Sequence, residues 1–239
     1  MEANRRYLIV NADDFGQSQG VTRGIIAAHE HGIVTSTSLV VRWPAAAEAA
    51  AYGRAHPLLS VGLHVDLGEW VCHDDTWVPL YEVVPLDDRD AVAAEVQRQI
   101  ETFRNLIGTN PTHLDSHQHV HRRDPTHTIM TEIARSLGVP LRDKDAMVRY
   151  CGNFYGQTGT GDPLPDAISV DALLRLLTGL PAGVTELGCH PAEGNALDTM
   201  YRTERERELH TLCDPRVREA IATLRIELCS FHDIRRWRT

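Results

Sequence analysis

Residues 7–16 read YLIVNADDFG, an apolar run that ends in two adjacent carboxylates. The run predicts a hydrophobic strand over residues 7–12, because a short apolar stretch bounded by polar residues is typical of a strand. Side chains alternate between the two faces of a strand, so Asp13 and Asp14 cannot both be ordinary surface residues on one face. Either the strand has ended and both lie in a loop, or one of them points inward and needs a partner.

The rest of the chain alternates strand-like and helix-like segments. The last helical pattern is interrupted at Asp214-Pro215, an N-cap residue followed by proline at the first helical position. Strict alternation of this kind predicts a parallel sheet with crossover helices. The predicted strands are residues 7–12, 35–41, 59–66, 112–115, 139–142, 184–189 and 225–230, and the predicted helices are residues 19–32, 44–55, 88–107, 125–137, 168–178 and 203–224.

Length and composition predict one α/β domain spanning residues 1–239, because no repeat, low-complexity linker or charge block divides the chain. The net charge of −9 argues against a nucleic-acid partner. No apolar run approaches the roughly 20 residues that cross a bilayer, and the N-terminus lacks a signal-peptide pattern. The five cysteines lie at least 16 residues apart. These features predict a cytoplasmic protein with reduced thiols and no membrane partner.

Two long connections, residues 69–90 and 149–166, interrupt the alternation. The glycines of the second do not open a helix, because Pro163 and Pro165 follow them, so the segment is not a dinucleotide-binding motif. Loops of this length in a compact domain serve as lids or binding loops, or they are surface insertions. The sequence leaves both interpretations open.

Metal-binding residue types collect at the ends of the predicted strands, where parallel α/β folds place their functional sites. The chain contains 13 histidines, and histidine is the commonest metal ligand in proteins. Five of the seven predicted strand ends carry histidine or carboxylate. These residues are Asp13 and Asp14; His64 and Asp66; Asp115, His117, His119 and His121; His190 and Glu193; and His232 and Asp233.

Each of these residues also has a purely structural interpretation. Asp13 and Asp14 could cap the following helix, His64 could be a packed strand residue, and the histidines at 117–121 could form an exposed polar face. Their joint placement favours a functional site. Two imidazoles and one carboxylate suit a catalytic metal that lowers the pKa of bound water to about 7. A second carboxylate would then act as general base, and a histidine from another strand as general acid.

Six motifs resemble those of the YdjC-like carbohydrate deacetylases, which are related to the polysaccharide deacetylases that remove N-acetyl groups from amino sugars. The motifs are NADDFG, GIVTSTSLVV, VGLHVDL, PTHLDSHQHVH, NFYG and GCHPAE, and the similarity extends to SFHDI near the C-terminus. The resemblance implies a deformed (β/α) barrel of about seven parallel strands. It also implies metal-dependent amide hydrolysis of an N-acetylated sugar such as a chito-oligosaccharide.

The resemblance implies specific roles for residues of this chain. Asp14, His64 and His117 would hold one divalent metal ion, magnesium by the family's usual description or zinc on the grounds of two nitrogen ligands. Asp13 would be the base, and His190, as an imidazolium, would protonate the leaving amine. Gln118 departs from the pattern, since some relatives carry a third histidine there. The residues expected to support the ligands or contact the substrate are Asp115, His119, Phe154 and Tyr155.

Two other functions stay open at this level. His117-Gln118-His119 resembles a paired-histidine motif, which would suit a phosphoesterase or amidohydrolase-type enzyme with two metal ions. An inactive sugar-binding protein on the same scaffold is the third interpretation.

The expected partner is a small carbohydrate, and a homodimer is compatible with the sequence. Four aromatic residues could stack on a sugar or cap the barrel core: Trp70, Trp77, Phe154 and Tyr155. Three arginines near strand ends could bind a sugar phosphate: Arg42, Arg142 and Arg149.

Overall fold

The computed structural model describes residues 4–194 and 199–238 and contains nine strands within them. Seven of these strands form one parallel sheet and two form a separate antiparallel hairpin. The strands are β1 (Arg6–Phe15), β2 (Ser36–Leu39), β3 (Ser60–Val65), β4 (Gly68–His73), β5 (Thr76–Glu82), β6 (Leu114–Ser116), β7 (Val148–Cys151), β8 (Gly183–Cys189) and β9 (Ile226–Leu228).

The order of the curved sheet is β6-β3-β2-β1-β8-β7. Strand β9 pairs with the first residues of β1, from Arg6 to Leu8, whereas β2 pairs with β1 from Asn11 onward. All pairs in this sheet are parallel. The prediction of a deformed (β/α) barrel with about seven parallel strands is therefore confirmed.

The described residues also form eight α-helices, seven of them between strands, and capping residues explain where several of them begin. Ser18 caps α1, Asp88 caps α3 and Ser169 caps α5, each by accepting a backbone N–H. The predicted break at Asp214-Pro215 separates α6 from α7. The helices are α1 (Gln19–Glu30), α2 (Ala46–Ala55), α3 (Arg89–Ile107), α4 (Thr126–Leu137), α5 (Val170–Thr178), α6 (Thr203–Cys213), α7 (Pro215–Thr223) and α8 (Phe231–Trp237). None of them, within the described ranges, is long and apolar enough to cross a membrane.

The predicted strand over residues 139–142 is wrong. Only Leu141 forms a bridge there, to Leu114, and the regular strand next along the chain is β7. Pro140 has no backbone N–H to donate, and Asp143 takes a left-handed backbone conformation with φ 65° that turns the chain. Strand β7 lies at the start of the predicted loop 149–166.

The predicted loop 69–90 contains the hairpin β4–β5. Its two strands are joined by Asp74 and Asp75, both in the left-handed conformation (φ 48° and 58°) that a two-residue hairpin turn requires. Most of β5 is exposed, so the hairpin has no continuous buried face. This explains why the hydrophobic pattern did not reveal it.

The end of the last predicted strand is also different. Residues 231–237 form α8, and Asp233 completes a capping box with Ser230. His232 lies on that helix. Because β9 ends beside Leu8, at the opposite end of β1 from the aspartates, neither His232 nor Asp233 belongs to the site at the strand ends.

The two faces of β1 pack differently, and this places the site. Leu8, Val10 and Ala12 join the main core, whereas Tyr7 and Ile9 join a smaller cluster with Phe231 of α8. The smaller cluster fills the barrel at the N-terminal ends of the strands. On the face of β1 that carries Tyr7 and Ile9, the residues further along the strand are polar. The candidate site therefore lies at the other end of the barrel.

Candidate metal centre

A bulge at the end of β1 brings both aspartates into one cavity. The pairing of β1 with β2 shifts register between Ala12 and Phe15, and Asp14 has a left-handed backbone with φ 70°. Such a conformation is uncommon outside glycine and often occurs at functional sites. Both carboxylates are buried beside His64. The helix-cap interpretation is wrong, because Ser18 caps α1.

Asp14 and two histidines form a buried group of metal-type donors. Asp14 Oδ1 lies 3.2 Å from His64 Nε2 and 3.1 Å from His117 Nδ1. The three donor atoms all lie within 4.8 Å of one another. One carboxylate oxygen and two imidazole nitrogens are a suitable donor set for a divalent cation that keeps an open coordination position.

The charges around these histidines attract a cation. Burial by itself would lower the pKa of His117, but the adjacent Asp14 carboxylate raises it to about 9. The pKa of His64 is likewise raised well above its ordinary value, since Asp115 and Asp14 outweigh the effect of burial. The same carboxylates would stabilise the charge of a bound divalent ion, so the donor set fits a metal in charge as well as in geometry.

His64 is held in one orientation by its second ring nitrogen. Nδ1 lies 2.8 Å from Asp115 Oδ1 and 3.3 Å from Ser38 Oγ. A carboxylate on Nδ1 holds the proton there and leaves Nε2 bare for a metal. Asp115 thus lies where the sequence analysis expected a supporting residue.

Asp13 has a different principal partner, Arg142. The guanidinium donates to both carboxylate oxygens, at 2.6 Å and 2.7 Å, and Asn11 Nδ2 donates to Oδ1 at 2.8 Å. Burial alone would raise the pKa of Asp13, but Arg142 with His64 and His190 holds it well below its usual range. Asp13 is therefore ionised at neutral pH.

Arg142 also binds two further carboxylates, Asp115 at 2.8 Å and Glu186 at 2.7 Å. The guanidinium is fully buried, and it lies inside the barrel rather than at a phosphate-binding surface. A second donor group, Asp13 with His64 and Asp115, could hold a cation by spacing alone. Arg142 already places its positive charge on two of those three residues, which disfavours a second metal ion.

Arg205 of α6 holds the other aspartate. Its Nη2 donates to Asp14 Oδ2 at 2.7 Å, and its Nε donates to the carbonyl oxygen of Tyr201 at 3.0 Å. Asp14 is thereby left with Oδ1 for the two histidines. Sequence reasoning missed Arg205, because it lies in the charged run TERERELH, which is typical of a solvated helix face.

His190 lies across the cavity from the donor group. Its Nε2 is 3.8 Å from Asp13 Oδ2, and its Nδ1 is 3.9 Å from Glu208 Oε1. Burial lowers the pKa of His190 to about 4, so the resting ring is neutral at pH 7 rather than an imidazolium. Its edge contacts Tyr155, with ring centroids 5.5 Å apart.

Glu208 should make the protein less stable as the pH rises. Burial raises the pKa of Glu208 from 4.5 to about 8, so between these values the unfolded chain has released a proton that the folded chain keeps. The stabilisation is complete below pH 4.5 and is lost as the pH rises through about 8, by up to about 1.4 kcal/mol per pH unit. In chemical denaturation experiments, the free energy of unfolding of Glu208→Gln should fall less steeply with rising pH than that of the wild type.

Glu206→Gln is the matched control, because Glu206 is an exposed residue on the same helix. This variant should keep the pH slope of the wild type. An unchanged slope in Glu208→Gln would show that Glu208 is ionised in the folded protein at neutral pH.

The remaining predicted residues are spread around the cavity. His119 Nε2 lies 3.4 Å from the Tyr150 hydroxyl and is not in either donor group. Phe154 is fully buried in the core, so it caps the barrel rather than stacking on a ligand. Tyr155 is 37% exposed and stacks on Tyr201 beside His190. Trp77 of the hairpin is 49% exposed.

Several other residues at the strand ends make contacts away from the donor groups. Asp66 accepts from Arg42, Trp43 and Tyr81 at the base of the hairpin. Glu193 pairs with Arg23 at the surface. His121 bonds Ser116, and Arg149 is exposed on the outside of the barrel.

Glu69 is a further acidic residue that the sequence analysis did not single out. It is buried at the start of the hairpin, with Oε2 3.8 Å from His117 Nε2. Glu69 begins the predicted loop 69–90, and nothing in the local sequence pattern indicates this contact.

Comparisons with known proteins cover nearly the whole chain. A family model described as YdjC-like protein matches residues 7–223. The chain is 32% identical to a chitooligosaccharide deacetylase of Serratia marcescens, over 96% of this chain and 99% of the relative. It is 30% identical to a carbohydrate deacetylase of Geobacillus stearothermophilus, over 95% of this chain and 98% of the relative.

A crystal structure from Enterococcus faecalis V583, named provisionally as a cellobiose-phosphate cleavage protein, has a similar fold. Its TM-score is 0.75 at 27% identity, and the match covers 96% of this chain and 99% of that one. The similarity thus extends over nearly the full length of this chain, of both sequence relatives and of the solved structure.

Proposed function

The chain belongs to the YdjC-like protein family, and on that premise we propose that it is a metal-dependent carbohydrate deacetylase. The reaction is hydrolysis of the N-acetyl group of an N-acetylated amino sugar, which releases acetate. One observation carries the proposal: Asp13 and Asp14 share a cavity but have different partners. Asp14 joins two imidazoles, whereas Asp13 is clamped by Arg142 and faces His190.

Asp14, His64 and His117 would hold a single divalent ion. When bound, the ion supplies Lewis-acid polarisation of the acetamide carbonyl and lowers the pKa of water. Two nitrogen donors favour zinc or another late divalent metal over magnesium, which prefers oxygen ligands. The charge of Arg142 next to Asp13 and Asp115 supports one ion over two.

Asp13 acts as the general base. Its carboxylate is ionised, fixed at both oxygens by Arg142, and excluded from the donor group around Asp14. It takes a proton from the attacking water while the water oxygen bonds to the carbonyl carbon. Because Arg142 holds the carboxylate rigidly, no side-chain rearrangement is needed for this transfer.

His190 acts as the general acid, but its proton must arrive during the reaction, because burial lowers its pKa to about 4. His190 Nε2 lies 3.8 Å from Asp13 Oδ2, so the ring must move to hydrogen-bond distance before it takes the proton that Asp13 removed. His190 then gives this proton to the sugar nitrogen as the C–N bond breaks. The products are acetate and a free amino sugar, so atoms and protons balance.

The substrate side of the cavity contains aromatic and polar groups. Tyr155 presents a partly exposed ring next to His190, and the neutral His119 lies beside Tyr150. A ring of this kind can pack against the apolar face of a sugar. These residues are the proposed contacts of a small N-acetylated carbohydrate.

An acetate-release screen tests the proposal. N-acetylated mono- and disaccharides are incubated with the protein and Mg²⁺, Zn²⁺, Mn²⁺ or Co²⁺, and bound metal per chain is measured in parallel. We expect acetate release with one tightly bound ion. Two bound ions with phosphoester cleavage would favour the phosphoesterase alternative, and an absence of acetate release across the panel would favour an inactive sugar-binding protein.

A further inference from the structure

The β4–β5 hairpin contacts the segment that follows β6 through Gln118, the residue after His117. Gln118 donates from Nε2 to the carbonyl oxygen of Trp70 at 2.8 Å, and its Oε1 accepts from the Trp70 amide at 2.8 Å. One side-chain amide thus pairs with both backbone groups of a hairpin residue. Gln118 itself has φ 47°, a left-handed conformation that is uncommon for a residue with a side chain.

The residue before Trp70 is the buried Glu69. Its side chain is 8% exposed, and its Oε2 lies 3.8 Å from His117 Nε2. That nitrogen is buried and has no hydrogen-bond partner among the described residues. The other ring nitrogen, Nδ1, faces Asp14. The His117 imidazole therefore has one nitrogen toward the donor group and the other toward Glu69.

We propose that the β4–β5 hairpin is part of the metal site: Glu69 orients the His117 imidazole, and Gln118 holds Glu69 in place through Trp70. A ligand imidazole must present one bare nitrogen to the metal and carry its proton on the other. A carboxylate near Nε2 stabilises that tautomer of His117. Glu69 is thus the counterpart on His117 of Asp115 on His64, at 3.8 Å instead of 2.8 Å.

The identity of residue 118 matters for this role. A glutamine carries a donor and an acceptor on one planar amide, so it can bond the N–H and C=O of a single residue. The two nitrogens of a histidine point in different directions and cannot make that pair. This pair of hydrogen bonds, the Gln118 clamp, therefore depends on glutamine at this position.

The first test measures metal affinity with the full chain and rests on the metal site proposed above. The dissociation constant for Zn²⁺ is measured by competition with a chelating dye. Glu69→Ala is expected to weaken binding by about 10- to 100-fold, which is typical for loss of a group that supports a metal ligand. Glu69→Gln should weaken binding less. Glu82→Gln, an exposed change on the same hairpin, should match the wild type.

The second test asks whether Gln118 acts through Glu69. Gln118→Ala should weaken Zn²⁺ binding in the wild type but should add little to Glu69→Ala, because residues that act through one contact are not additive. Amide hydrogen exchange over residues 68–82 should be faster in Gln118→Ala and less slowed by Zn²⁺ than in the wild type. Gln97→Ala, an exposed change on α3, is the control.

The outcomes separate this proposal from the proposed function. Wild-type affinity in both Glu69 variants would overturn the role of Glu69, and additive effects of Gln118→Ala and Glu69→Ala would overturn the clamp. If the wild type binds no Zn²⁺, or if loss of His64 and His117 leaves binding unchanged, the metal site itself is wrong.

Discussion

Asp13→Asn should lower kcat for acetate release by about 10²- to 10⁴-fold, the usual contribution of a general base, without loss of bound metal. Asparagine has the same shape but cannot accept the proton of the attacking water. Asp13 is not in the donor group of Asp14, His64 and His117, so the metal content should stay at that of the wild type. Steady-state kinetics and metal analysis of the purified variant provide the two measurements.

The kinetic result needs a check of the fold, because an asparagine side chain at this position would accept less from Arg142 than the carboxylate does. The melting temperature of the variant should be compared with that of Asp90→Asn, an exposed change at the start of α3. Full turnover in Asp13→Asn would assign the base elsewhere. Loss of the metal would show instead that Asp13 is a ligand.

The double variant His64→Ala, His117→Ala should contain no detectable metal and show only background activity. The two imidazoles supply two of the three donors, and the remaining carboxylate of Asp14 already shares its charge with Arg205. A single carboxylate oxygen in a buried site cannot compensate the dehydration of a divalent ion. Metal content after dialysis and acetate release measure the effect.

His31→Ala, His210→Ala is the matched control, since both histidines are exposed and away from the strand ends. Its metal content and activity should equal those of the wild type. If the His64, His117 double variant retained one ion, other residues would hold it. His64 belongs to both donor groups. The metal content of the two single variants would then show whether His64 is required for binding.

The alternation of strands and helices was predictable because it depends on local pattern. Apolar runs and helical periodicity located six of the seven strands of the parallel sheet. The break between α6 and α7 followed from Asp214-Pro215, since capping and proline geometry involve only neighbouring residues. The positions of such elements depend on interactions between residues that are close together in the sequence.

The errors occurred where tertiary contacts or exposure determine the structure. Strand β5 is exposed, so the hairpin lacks a continuous buried face, and its turn at Asp74-Asp75 was the local signal for it. Strand β7 is four residues long and carries Arg149 and Tyr150 in a segment that resembled a loop. Helix α8 begins where the sequence suggested a continuing strand end.

The candidate site was predictable in its main residues, since parallel strands place their carboxyl ends together. The structure brings Asp13, Asp14, His64, His117 and His190 into one cavity. Of the groups that hold them, Asp115 was expected, but those on α6 and on the hairpin were not predictable. Arg205 and Glu208 lie on α6, and Glu69 lies on the hairpin, so no strand-end pattern includes them.

The available chemistry follows from the order of residues alone: two adjacent carboxylates and several imidazoles at the ends of parallel strands. The tertiary structure decided the separate environments of Asp13 and Asp14. Arg142 binds Asp13 from 129 residues away, and Arg205 binds Asp14 from 191 residues away. Charge interactions depend on distance in space and on burial, not on distance along the chain, so only the folded protein distinguishes two neighbouring aspartates.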